Sequence, residues 1–421
     1  MDERKICSIC GQPIDESTGY VEGKLNEVYV CAKCVGQLGK LWAKSVGIEL
    51  YDPSKTGEGD SDGLKEGHSS VMTPRDIKAV LDEYIIGQDE AKKRISVAVY
   101  NHYKRLDQDV IDNDVEEDVV IQKSNVLLLG PSGSGKTLIA QTVAKLLDVP
   151  FAMCDATSLT ESGYVGDDVE TIISKLLAAA DYDVQRAQRG IIFLDEFDKI
   201  SRKGGSASIT RDVSGEGVQQ GLLKLIEGTV VGVHPHGGRK HPDQPLIQVD
   251  TKDILFICAG AFEGLDKKVA ARMNMRSVGY AATGAREKAK DMDILDNVTP
   301  NDLRSFGLIP EIIGRLPVIT HTNELTADDM KKILIEPRNS IVKQYKKLFS
   351  MDSINMTIDD DAIDAIVKKT MDNETGARGL RNVMEDVMQE AMFSMPGKTV
   401  LPQELHITRE FVEKELYSDA A

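Results

Sequence analysis

The 421-residue sequence predicts an α/β fold: a parallel sheet with flanking helices, followed by a small α+β region and preceded by a short zinc-ribbon-like module. Three observations carry that prediction. From Thr73 to about Thr322, strand-like and helical patterns alternate, as parallel strands with covering helices require. Inside that stretch, Gly130-Pro131-Ser132-Gly133-Ser134-Gly135-Lys136-Thr137 fills every fixed position of the phosphate-cradling G-x-x-x-x-G-K-[S/T] pattern. At the N-terminal end, four of the six cysteines fall as Cys7-x-x-Cys10 and Cys31-x-x-Cys34.

The cysteine pairs come first in the chain. Each Cys-x-x-Cys turn can aim two thiolates at one point, and two turns complete a tetrahedral S₄ site with no open position, so the expected Zn²⁺ is structural. Residues 1–50 are too few to bury much apolar surface, which makes a metal cross-link physically sensible; disulfides are the alternative for a chain outside a reducing compartment. Cys154 and Cys258 stand in apolar runs and read as small core residues. Residues 51–70, rich in Gly, Ser and Asp, read as a linker of about twenty residues with an r.m.s. span of roughly 25 Å. The acidic cluster from Asp107 to Asp118 reads as a solvated loop.

Within residues 71–322, Val126-Leu127-Leu128-Leu129 is a buried-strand run that leads into the glycine loop, and Leu138 to Ala144 is helical in pattern. Glycines let the loop turn its N–H groups inward. Those donors and the helix N-terminus hold the phosphates of a nucleoside triphosphate, Lys136 reaches the β/γ oxygens, and the Thr137 hydroxyl ligates Mg²⁺. Phe151-Ala152-Met153-Cys154 is a second strand. Ile191-Ile192-Phe193-Leu194 is a third, delivering Asp195 and Glu196 to the edge where the glycine loop opens. Asp195 suits Mg²⁺ held through water, and Glu196 suits an attacking water in phosphoryl transfer. Ile254 to Cys258 is a fourth strand. Residues 323–421 mix amphipathic helices (Ile363, Ile366, Val367; Val383, Met384, Val387, Met388) with short strands such as Ile354 to Ile358, forming a small α+β lid.

Composition narrows the function. A formal net charge of −17 disfavours nucleic acid as main partner, while 41% hydrophobic residues suffices for real cores. The N-terminus lacks the apolar core of a signal peptide and no run is long enough to span a bilayer, so a cytoplasmic protein without membrane partners is expected.

Together, the four-cysteine module, linker, single ATPase module and lid resemble the ClpX family of AAA+ unfoldases over nearly the whole chain. The resemblance implies a P-loop AAA+ ATPase domain, a homohexamer, and a specificity component that threads unfolded or tagged proteins, some brought by adaptors, into the Clp peptidase, ClpP. Val80 to Gln88 resembles the family's adenine-binding stretch, with Ile85 and Ile86 as the apolar contacts. Arg315, in Pro310 to Pro317, matches the arginine finger offered to a neighbour's ATP; Arg378, in Gly376 to Arg381, matches the sensor-2 arginine. As isolated residues both would read as surface ion-pair partners. Gly163-Tyr164-Val165-Gly166 matches the pore-1 loop, its glycines a hinge and its aromatic a sequence-indifferent grip; alone it reads as a turn with a packed tyrosine. Arg239-Lys240-His241 caps an expected hairpin and matches the loop at the pore entrance, where six copies would concentrate positive charge. Ser208 to Glu216 matches the second pore loop less sharply.

Two positions depart from the family pattern. The peptidase-docking loop usually carries an aliphatic-Gly-Phe tripeptide, and here reads Val278-Gly279-Tyr280. The fourth strand ends in Cys258-Ala259-Gly260, which offers no polar sensor-1 side chain. The chain has no recognisable protease signature. Two other readings stand beside the unfoldase: an ATP-dependent nucleic-acid remodeller with a zinc-ribbon reader, and a chaperone that works without a peptidase.

Overall fold

The computed structural model describes residues 7–10, 20–22, 29–31, 34, 72–108, 121–160, 167–202, 215–233, 246–276, 294–373, 375–395 and 404–417. The chain divides into two compact units, Met1–His68 and Ser69–Ala421.

In the first unit, β1 (Tyr20–Glu22) and β2 (Tyr29–Cys31) pair antiparallel, with Tyr20 opposite Cys31. Ser8 donates its N–H to the Tyr29 carbonyl at 2.7 Å, and the Tyr29 N–H donates to Ser8 Oγ at 3.2 Å. This short ladder brings the first cysteine turn beside the strand that carries the second.

The second unit is organised by β3 (Val126–Leu129), β4 (Phe151–Asp155), β5 (Leu159–Thr160), β6 (Asp167–Asp168), β7 (Ile191–Asp195), β8 (Val230–Val233), β9 (Ile247–Asp250), β10 (Leu255–Gly260) and β11 (Val318–His321). Five of these form a parallel sheet in the order β11-β3-β10-β7-β4. Alternate side chains leave it on opposite faces. Leu127, Leu129, Ile192, Leu194, Phe256 and Cys258 enter one core, and Val126, Leu128, Ile191, Phe193, Leu255 and Ile257 enter the other. A sheet buried on both faces needs strands apolar throughout, which explains why these runs do not alternate polar with apolar. The strand Val318–His321 is an addition to the four read from the sequence. Preceded by Pro317 and ending in Thr320-His321, it is too short and mixed to stand out. The residues flanking Arg239 to His241 do form an antiparallel pair, β8 with β9.

Helix Pro74–Tyr84 starts on a capping box between Thr73 and Asp76, and helix Ala327–Ile335 on one between Thr326 and Asp329. Among the described residues from Ala327 onward, five helices surround a two-stranded parallel sheet of β12 (Asn355–Ile358) and β13 (Glu404–Ile407). Ile363, Ile366, Val367, Val383, Met384, Val387 and Met388 meet in a third core there. Among the described residues, no helix is long and apolar enough to cross a membrane.

Candidate nucleotide site

β3 ends at Leu129 and the chain turns through Gly130, Gly133 and Gly135, with φ of 138°, 77° and 97°. A side chain at Gly130 is excluded: its Cβ would lie 2.2 Å from Thr322 Oγ1. That close approach lets neighbouring strands brace the loop. Gly130 donates its N–H to the Gly260 carbonyl at 3.1 Å, and Thr322 donates its N–H to Leu129 at 2.8 Å. Ser134 Oγ donates to the Pro131 carbonyl at 2.8 Å and sits 2.6 Å from Thr322 Oγ1. The Gln88 side chain spans from Ser134 to Asn323, donating to the Asn323 carbonyl at 2.9 Å and accepting its N–H at 2.7 Å. Thr322 and Gln88 act here as loop supports that no local sequence pattern exposes, because their partners lie far along the chain.

The loop opens onto helix Lys136–Leu146, whose first N–H groups face the same space. Lys136 is 8% exposed and donates from Nζ to the carbonyls of Gly130 and Pro131, both at 2.7 Å. Burial pulls its pKa down; Asp195 and Asp198 pull it up and the Arg378 guanidinium down.

β7 carries Asp195 to the same edge. Its Oδ2 lies 3.5 Å from Thr137 Oγ1, and its Oδ1 accepts the Glu196 N–H at 3.0 Å. Glu196 takes a left-handed conformation, φ 53°, ending the strand abruptly and leaving its side chain exposed. A non-glycine residue holds such a backbone at a cost of order 1 kcal/mol, so the surrounding structure fixes this turn. The C-terminal region closes in from the other side: a Cβ at Gly133 would come within 3.3 Å of Ala377 N, so helix Ala377–Ser394 begins against the glycine loop. Arg378, in its first turn, is exposed.

This donor set fits a nucleoside polyphosphate and a hard divalent cation. Inward N–H groups, a helix N-terminus and a buried ammonium suit phosphate oxygens, while a hydroxyl beside a carboxylate suits Mg²⁺. Towards the base, Ile85 is 5% exposed and belongs to a core cluster, with its carbonyl accepting from buried Lys92 at 3.1 Å. Ile86 is half-buried. Leu138, at 46% exposure, adds an apolar surface on the loop's own helix that the sequence reading did not single out; with Tyr84 and Arg338 it borders a cleft of about 510 Å³.

Arg315 sits at the other edge of the sheet. Val318 pairs with Val126 at the start of both strands, so Arg315 precedes β11 where the glycine loop follows β3. Its Nε and an Nη both lie 2.9 Å from Glu227 Oε1. In the first unit, the Sγ atoms of Cys7, Cys10 and Cys34 lie within 4.8 Å of one another, a spacing compatible with one metal ion. Cys31 closes β2, and its side chain lies outside the described residues. Gly163, Tyr164, Val165 and Gly166, Arg239, Lys240 and His241, and Val278, Gly279 and Tyr280 also lie outside the described residues.

A family model described as AAA domain (Cdc48 subfamily) matches residues 121–319, and one described as the C-terminal, D2-small domain, of ClpB protein matches residues 325–408. The chain is 49% identical over 395 residues to an ATP-dependent Clp protease ATP-binding subunit ClpX from Porphyromonas gingivalis, covering 94% of this chain and 92% of that protein. The protein of the same description from Bacteroides thetaiotaomicron is 49% identical over 413 residues, 98% of this chain and 96% of the relative. That from Treponema denticola is 50% identical over 394 residues, 93% of this chain and 90% of the relative. These relatives lend no support to the nucleic-acid remodeller.

Proposed function

The chain belongs to the ClpX family of ATP-binding subunits of the ATP-dependent Clp protease, and on that premise we propose that it is an ATP-driven unfoldase that threads proteins through a homohexameric ring into ClpP. The single observation that carries the mechanism is the convergence of the glycine loop, Lys136, Thr137, Asp195 and Glu196 at one sheet edge, with Arg315 at the opposite one.

In this reading Lys136 exchanges its bonds to the Gly130 and Pro131 carbonyls for phosphate oxygens. Thr137 and Asp195 would hold Mg²⁺, which when bound would neutralise phosphate charge. Glu196 orients the attacking water and takes its proton. Arg378 reports phosphate state to the lid through the helix that begins at Ala377. Ile86, next in sequence to the buried Ile85, contacts the base. Arg315 lies too far from its own chain's loop to help there, so it acts on a neighbour's ATP, releasing Glu227 for phosphate.

Tyr164 and Val165, between Gly163 and Gly166, grip the translocating chain, and Arg239, Lys240 and His241 draw in its tail. Val278, Gly279 and Tyr280 dock the peptidase. Cys7, Cys10, Cys31 and Cys34 hold a structural Zn²⁺ that cross-links residues 1–50. Residues 51–70 link that module to the large ATPase domain, 71–322, and the small domain, 323–421. The working compartment is the cytoplasm.

A tagged, folded reporter tests this. Its ATP-dependent unfolding is expected from the chain alone, and its degradation only when ClpP is added. DNA-stimulated ATPase with no unfolding would sink the reading.

A further inference from the structure

We infer that Asp198 is a positioning residue for ATP hydrolysis, its buried carboxylate occupying the place that the central strand leaves open for want of a polar side chain. The inference rests on the reading of Lys136, Asp195 and Glu196 above. β10 lies between β3, which carries the glycine loop, and β7, which carries the two carboxylates. A side chain at the end of β10 would stand between loop and carboxylates, yet the strand finishes Cys258-Ala259-Gly260. The glycine is required. A Cβ there would fall 2.4 Å from Asp198 Oδ1 and 3.0 Å from Asp198 N. The turn that begins at Glu196 folds Asp198 back over β10, and its carboxylate fills the vacated volume.

Asp198 is then held from two sides. Its Oδ1 accepts the Ala261 N–H at 3.2 Å, and its Oδ2 lies 3.4 Å from the half-exposed Lys199 ammonium. Its side chain is only 4% exposed. The bonds continue across the sheet: the Gly260 carbonyl accepts the Gly130 N–H, and the Gly130 carbonyl accepts from Lys136 Nζ. One short chain of contacts thus runs from the residue two beyond Glu196, through the end of β10, into the glycine loop. An uncharged asparagine could accept the same N–H without the penalty of burying an anion. The charge is therefore the informative part. Asp198 is among the groups that favour the charged form of buried Lys136, against burial and Arg378. A fixed anion at this point resists displacement of Lys136 and of the Glu196 turn as phosphate charge shifts during hydrolysis, and so acts on the rate more than on binding.

The full-length chain carrying Asp198→Asn keeps an acceptor for Ala261 and loses the charge. It is expected to hydrolyse ATP with kcat lowered by about tenfold or more and KM within about threefold of wild type. Lys199→Ala, which removes only the exposed partner, should stay within about twofold in both constants. Binding of a non-hydrolysable ATP analogue is measured alongside. An Asp198→Asn chain with kcat within about twofold of wild type overturns the proposal, because a neutral acceptor then suffices. So does a rise in KM at unchanged kcat, or failure to bind the analogue, either of which makes the residue a binding or structural one. Glu196→Gln is the parallel control: if it hydrolyses ATP normally, the reading of the whole site fails, independently of the Asp198 result.

Discussion

The two edges of the parallel sheet are made from the same five strands and differ in how they hold charge. Where the strands end, Glu196 and Arg378 are exposed, Asp195 is half-buried, and Lys136 is bonded to carbonyls of its own loop. Where the strands begin, charge is locked into backbone. Lys123 donates from Nζ to the carbonyls of Ile226 and Thr251 at 3.2 and 3.0 Å, over the ring of Phe256, and burial pushes its pKa down to about 7. Arg105 pairs with Asp253 at 2.9 Å, and Tyr103 donates to the Arg189 carbonyl at 3.0 Å. The first edge can exchange partners with a ligand; the second joins loops that would otherwise leave carbonyls unsatisfied. Chemistry and stability should therefore be separable by mutation.

The largest effects should come from the ending edge. Glu196→Gln keeps the shape and removes the proposed base, so turnover should fall by about a hundredfold or more while ATP still binds. Lys136→Ala should instead weaken nucleotide binding itself, by about ten- to a hundredfold. Thermal midpoints of both should stay near wild type. Turnover surviving in the first, or undiminished affinity in the second, would break the separation.

Arg315 is the exception that sharpens the comparison, since it belongs to the beginning edge but is assigned a chemical role. Acting in trans, Arg315→Ala should lower ATPase by about tenfold or more in the ring. Mixing it with Glu196→Gln chains should restore part of the activity, because the second supplies an intact arginine to the first's intact site. No recovery on mixing, with mixed rings verified by size, would return Arg315 to a surface partner of Glu227.

How much of this was legible depended on whether partners were near in sequence. The glycine loop and four apolar strands are local patterns, and each appears where its pattern lies; of the cysteine pairs, Cys7, Cys10 and Cys34 come together. β11 was not read, because Val318-Ile319-Thr320-His321 is brief and half polar. Ile85, expected at the base, also belongs to a core whose other members come from three helices and three strands. Gln88, Thr322 and Asp198 stay silent in the sequence for the same reason: each acts across strands adjacent in space but distant in the chain. Gly260 held the clearest missed signal. An apolar strand closing on glycine beside a D-E-x-D turn predicts that something from the turn fills the gap.

The smallest expected effect is the most specific to the beginning edge, and concerns His102. It is 1% exposed, donates from Nε2 to the Asp253 carbonyl at 3.0 Å, and leaves Nδ1 buried without a partner among the described residues. Burial first, and then the Arg105, Lys123 and Arg189 cations, push its pKa from 6.5 down to about 3. Between those values the unfolded chain takes up a proton that the folded chain refuses, so stability must fall as pH drops below 6.5, by about 1.4 kcal/mol per pH unit and about 2 kcal/mol by pH 5. Among the described residues with a shifted pKa, the window is its own. Lys123, lowered from 10.5 to about 7, changes stability above pH 7, and Asp82 and Asp302, lowered from 3.8, change it below that value. His102→Gln keeps a donor for Asp253 and cannot titrate, so its urea midpoint should move less between pH 7.5 and 5 than that of wild type, with ATPase at pH 7.5 unaltered. An equal shift in both would place the acid sensitivity elsewhere. A loss of ATPase at pH 7.5 would show that the two edges are coupled, and that packing where the strands begin governs chemistry where they end.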